Sequence, residues 1–101
     1  MIHVLASIRI KEGRRAEFIG IFKANVPEVL KEKGCLGYVP TVDFPTGKPT
    51  QALDGNVVTI VEKWASPEAL QNHLVAPHMS AYREKVRNMV EGESLRILQD
   101  A

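Results

Sequence analysis

The segment EKWASPEALQNHLVAPHMSAY, Glu62 to Tyr82, concentrates the side chains best able to do chemistry. It holds the only tryptophan, Trp64, two of the three histidines, His73 and His78, and one of the two tyrosines, Tyr82. A neutral imidazole accepts a proton near pH 7. A tyrosine hydroxyl donates a hydrogen bond, and an indole offers a flat apolar face with one N–H donor. Such a set suits a core, a pocket wall or a metal site. The metal reading is the weakest. His73 and His78 are five residues apart with Pro77 between them, so they do not share a helix face as i, i+4 ligands do. His3 would have to complete the set from another element, and no metal is expected.

Each of these residues also has a purely structural reading. His73 lies on the inward side of its helix with Leu70 and Leu74, where a core histidine bonds a backbone carbonyl. His78 follows Pro77 at a helix start and can simply satisfy loop carbonyls. Trp64 can wall a pocket while packing. Tyr82 belongs to an apolar stripe with Met79, Val86 and Met89. Glu62 points the same way as Trp64 if strand alternation holds. It is then either paired with a cation, Arg9 or Arg83, or a proton acceptor, and pairing is the simpler reading. His3 faces Leu5 and Ser7 and is expected at a contact between sheets. Cys35 opens a strand as a small buried residue, with nothing nearby to lower its pKa.

The elements that must hold these groups follow from periodicity. Ile2–Ile10 alternates as a strand, with Ile2, Val4, Ala6, Ile8 and Ile10 on one face. KEG, Lys11 to Gly13, turns the chain. Arg14–Lys33 has helical spacing through Phe18, Phe22 and Val29. Pro27 predicts a kink or break near Asn25, and Gly34 the stop. Cys35–Phe44 reads as a second strand with Leu36, Tyr38, Val42 and Phe44 in register. Pro45–Asn56 is a long loop of turn formers, expected to be mobile. Asn56–Trp64 is the third strand, with Val58, Ile60, Glu62 and Trp64 on one face. Ser66-Pro67-Glu68 starts a helix: serine caps free amides, proline suits the first position, and glutamate complements the dipole. That helix runs to about Leu74. Pro77 interrupts it, and a second runs to Val90, stopped by Gly92. Glu93–Gln99 is the last strand. The order β-α-β-β-α-β is the split βαβ pattern of ferredoxin-like α+β domains, with an antiparallel sheet.

At 101 residues the chain forms one domain, residues 1–101. A net charge of +1 leaves no basic field for a phosphate backbone, and no RNP motif or zinc-finger spacing is present. Nucleic acid is therefore not an expected partner. His3 and Arg9 interrupt the N-terminal apolar run, which lacks the basic region and cleavage site of a signal peptide. No segment approaches the roughly 20 apolar residues of a membrane span. One cysteine cannot make an internal disulfide. These features predict a cytoplasmic protein with no membrane partner. Gly-rich phosphate loops are missing, so a nucleotide has no support. The sheet carries one further expectation. Val57 and Val61 oppose Val58 and Ile60, and Leu5 opposes Val4 and Ala6, so both faces are apolar. The helices suffice for one face only. The bare face predicts a homodimer packed sheet on sheet.

IKEGRRAEF after the first strand, GCLGY at the second, and the Glu62–Tyr82 segment together resemble the antibiotic biosynthesis monooxygenase (ABM) family over nearly the whole chain. These are small dimeric α+β barrel proteins. Trp-x-Ser-x-x-Ala-Leu-x-x-His at Trp64–His73, followed by Pro77-His78, is the most specific part. The loop at Pro45–Asn56 is longer than is usual there. The resemblance implies a pocket in each subunit, between sheet and helices. It further implies a cofactor-independent monooxygenase that oxidises a small aromatic or quinol-type substrate with O2. That chemistry needs a base, a donor for the developing oxyanion and a dry apolar shell. His73 or His78 would take the proton. Tyr38 or Tyr82 would steady the oxyanion, and Trp64 would hold the ring, with Glu62 beside it. Haem-degrading relatives use an Asn on the first strand, where this chain has Ala6 and Ser7. Two other classes stay open. An isomerase of a small sugar-like metabolite would use the same histidines without O2 uptake. A small-molecule-binding protein would show affinity without turnover.

Overall fold

The structure, a computed structural model, describes residues 1–101. Alternation in β1 (Ile2–Ile10) puts Val4, Ala6, Ile8 and Ile10 on one sheet face, and all four are buried. β3 (Val57–Trp64) pairs antiparallel with β1 so that Glu62 lies opposite Val4 and Ile60 opposite Ala6. Its inward residues are Val58, Ile60, Glu62 and Trp64, as the alternation predicts. β2 (Cys35–Thr41) flanks β3, and β4 (Val90–Gln99) flanks β1, giving the four-stranded order β2-β3-β1-β4. All three pairings are antiparallel. The helices α1 (Arg15–Leu30), α2 (Pro67–Leu74) and α3 (Pro77–Val86) contribute Phe18, Phe22, Val29, Leu70, Met79 and Tyr82 to a core shared with that face. The fold is the ferredoxin-like α+β arrangement, with its second helical segment divided at Pro77.

Several local expectations are corrected. α1 runs unbroken through Pro27. The proline removes the donor that would reach the Lys23 carbonyl, but both residues are exposed, so water can hydrate what is left. The helix stops at Leu30 rather than Lys33. β2 ends at Thr41, leaving Val42 and Phe44 exposed outside it. Leu36 is the extra residue of a bulge between Cys35 and Gly37, so it loses Tyr38's facing and is exposed. Leu74 is also exposed, so α2 buries Ala69, Leu70 and His73 instead. α3 ends at Val86, and Gly92 is no helix stop. It pairs with Arg9 inside β4, where the register shifts.

Two features position the site. Ser66 caps α2 by accepting from the Ala69 N–H at 3.2 Å, and so fixes where His73 falls. The turn after α1 passes beneath α2 at Gly34, whose φ is +85°. A Cβ there would sit 2.6 Å from the Ala69 Cβ. Gly34→Ala should therefore destabilise the protein by about 2–4 kcal/mol, combining left-handed strain with overpacking. A urea midpoint equal to that of the wild type would refute this packing. The long loop is pinned at its end. Arg9 bonds Asp54 at 2.6 Å, and the Asp54 N–H donates to Asp43 at 2.8 Å.

Candidate active site

A cavity of about 110 Å³ opens between the sheet and the helices. Its floor is Val4, Ala6, Ile8 and Ile60, and its roof includes Phe22, Leu70 and Met79. Leu95 and Ile97 of β4 pair with Ala6 and Val4, so they share the inward face, yet about half of each is exposed. They form the cavity's edge at the sheet's margin, with Glu93 and Arg83 as the charged residues of its lining. Four polar groups chosen from the sequence also line it: Tyr38, Glu62, His73 and Tyr82.

Strand alternation brings Glu62 inward, and pairing sets Tyr38 opposite it. Glu62 is buried and has no cation. Arg9 is held by Asp54, and Arg83 donates to the Leu74 carbonyl at 2.8 Å. Its one bond inside the chain is from the Trp64 Nε1–H, at 2.9 Å. The expected ion pair is thus replaced by a single neutral donor two residues along the same strand face. Burial drives the Glu62 pKa up to about 7, outweighing the Trp64 bond, and Glu93 and Glu32 push it the same way.

His73 is 2 % exposed, and Nδ1 lies 2.8 Å from the Glu32 carboxylate, not at a backbone carbonyl. Burial lowers its pKa despite that carboxylate, so the ring is neutral at pH 7. Trp64 is tilted on this imidazole at 4.5 Å, and Tyr38 meets it edge-on at 5.3 Å. Phe22 stacks on Tyr38 at 5.2 Å and is met edge-on by Tyr82 at 5.5 Å. Tyr38 and Tyr82 have no hydrogen-bond partner in the chain, but neither hydroxyl is sealed off. Burial, first among the causes, pushes both phenols well above the usual tyrosine range, so they remain donors.

The other two sequence candidates lie elsewhere. Trp64 is fully buried behind His73 and does not line the cavity. His78 lies in a separate groove between α1 and α3, with Nε2 2.7 Å from Glu32. His3 is on the helix-free face and bonds Asp100 at 2.8 Å. Cys35 is half-buried, and burial raises its pKa. Glu32, which joins the two histidines, escaped the sequence reading. One signal did exist: an acid just past a helix C-terminus opposes the dipole and calls for a tertiary reason.

Residues 1–85 match the antibiotic biosynthesis monooxygenase family. The chain belongs to that family. It is 41% identical to the probable quinol monooxygenase YgiN of Escherichia coli K12, over 98% of this chain and 97% of that one. The YgiN protein of Shigella flexneri matches equally. Among solved structures, a family member from Nitrosomonas europaea superposes with a TM-score of 0.84 at 14% identity, covering 99% of this chain and 98% of that one. Protein SO0527 of Shewanella oneidensis gives 0.80 at 25% identity, covering 98% and 89%. No helix is long and apolar enough to cross a membrane.

Proposed function

We propose that the chain is a cofactor-independent monooxygenase oxidising a small quinol with O2 in this cavity. One observation carries the reading: a buried carboxyl without a cationic partner, a neutral imidazole and two free phenols line the same apolar space. The space is no larger than a single ring requires: a closed cavity of about 150 Å³ accepts benzene, and this one, about 110 Å³, is open at its β4 edge, where a ring's substituents can project. The similarity to the probable quinol monooxygenase YgiN agrees with it.

His73, neutral, takes a proton from a ring hydroxyl, and Tyr38 or Tyr82 donates to the oxyanion that forms. The resulting quinolate is the electron donor to O2. Glu62, titrating near 7, is a second acceptor. Over the whole reaction a ring C–H becomes C–OH and the ring reaches the quinone level. The substrate gives four electrons to O2: one oxygen atom enters the product, and the other leaves as water with two hydrogens of the quinol. The apolar wall keeps bulk water from the anion.

A second copy is proposed against the helix-free face, where Leu5 and Val39 are exposed beside the partly buried Val57 and Val61. The lone cysteine supports a cytoplasmic setting.

Oxygen consumption with a panel of substituted hydroquinones tests the function. Uptake equal to quinol consumed, with one atom of labelled O2 in the product, is the expected result. Solvent-proton exchange into a sugar-like substrate without uptake would indicate an isomerase. Binding with no rate above autoxidation would indicate a ligand carrier. Either outcome would overturn the monooxygenase reading.

A further inference from the structure

Glu32 lies in the turn between α1 and β2, its side chain mostly buried against His73 of α2 and His78 of α3. Its Oε2 is 2.8 Å from His73 Nδ1 and 2.7 Å from His78 Nε2. A carboxylate only accepts hydrogen bonds, so both imidazoles must present N–H groups to it. For His73 this settles which nitrogen is protonated when the ring is neutral. Nε2 is then the bare one. It has no partner in the chain, yet no buried polar atom of the protein is left both sealed and unpaired. His73 is almost wholly buried, so the opening that Nε2 retains is the cavity its residue lines.

We propose that Glu32 is the positioning residue of the site: it holds His73 as the Nδ1–H tautomer, turning the Nε2 lone pair toward the substrate, while His78 shares the carboxylate from the solvent side. This deepens the proposed function and rests on it for the identity of the substrate. When Nε2 takes the substrate proton, the imidazolium that forms already has a carboxylate on its other nitrogen. No proton needs to leave Nδ1. His78 draws part of the same oxygen's charge, so it tempers that stabilisation. The other charged groups near the ring are Arg83 on α3 and Glu62 on β3. Trp64 and Tyr38 hold the ring plane through aromatic contact alone.

Long-range 15N–1H correlation spectra of the whole labelled protein read the tautomer without any turnover. In the wild type at pH 8, His73 should show a protonated Nδ1 and a bare Nε2. In Glu32→Gln the Nδ1–H form should lose its dominance, and the His73 pKa should fall further. In His78→Ala the pKa should instead rise, because one donor no longer competes for Glu32. Opposite signs in two variants are not produced by general loosening of the fold, which circular dichroism checks separately. Where a quinol is turned over, Glu32→Gln should lower kcat about 10²-fold with little change in KM. A wild-type spectrum with Nε2–H, or a tautomer and pKa unmoved in Glu32→Gln, overturns the proposal. If no quinol is oxidised but the spectra behave as described, the substrate assignment fails while the role of Glu32 stands.

Discussion

His73→Ala should lower kcat for an accepted quinol by about 10²–10⁴-fold, with a far smaller change in KM. The imidazole lines the cavity and is neutral at pH 7, as a base must be, and no second histidine can replace it there: His78 is spent on Glu32 from the outer groove, and His3 lies beyond the sheet. The ring also packs against Trp64 at 4.5 Å, so alanine leaves a gap and costs stability as well as chemistry. His73→Gln fills most of that gap without supplying a base and should show the same loss of kcat. Added imidazole should restore part of the rate to the alanine variant only. If either variant keeps more than half the wild-type kcat while still binding the quinol, His73 is not the base.

The elements were largely legible because alternation and helical spacing are dictated by one apolar face. β1 and β3 bury the residues their patterns select, and Ser66-Pro67-Glu68 starts α2 where capping chemistry requires. The failures fall where a single residue escapes periodicity. Alternation puts Leu36 in register with Tyr38, but a bulge adds one residue there without any sequence mark. Pro27 predicts a kink or break near Asn25, yet α1 continues through it, because Pro27 and Lys23 are exposed and water can take the carbonyl left without its donor.

Four of the six candidate site residues meet in one cavity because they lie on inward positions of regular elements: Tyr38 and Glu62 on strands, His73 and Tyr82 on helices. Trp64 is also inward, but it sits opposite Ile2 at the end of β3, so α2 covers it and His73 stands between it and the open space. Its indole acts on the site at one remove, by its N–H on Glu62. Glu32 and its bridge between two histidines were invisible for a different reason. The contact joins positions 41 and 46 residues apart, and only the packing of α2 and α3 over the turn creates it.

Replacing Glu62 by glutamine should change two pH profiles at once. In the wild type, the rate on a quinol should climb through about pH 7 as Glu62 gives up its proton. The variant should lose that inflection and keep only the lower one of His73. Stability should respond in the opposite sense. The carboxyl titrates at 4.5 in the unfolded chain and at about 7 in the folded one. Folding therefore takes up a proton between those values, so this contribution is complete below pH 4.5 and is lost as pH rises through 7. The loss is about 3 kcal/mol at pH 8. Glutamine carries no charge to bury and keeps an oxygen for the Trp64 N–H, so the variant should gain on the wild type by about that amount between pH 4 and pH 8. Asp54 and Asp100, whose pKa values are lowered, tilt the curves the other way, but they are common to both proteins and cancel in the difference. Urea unfolding of the two proteins across that range gives the comparison directly. A constant gap would mean that Glu62 titrates at the same pH in the folded and the unfolded chain, and the carboxyl poised near neutrality would have to be abandoned as a proton acceptor.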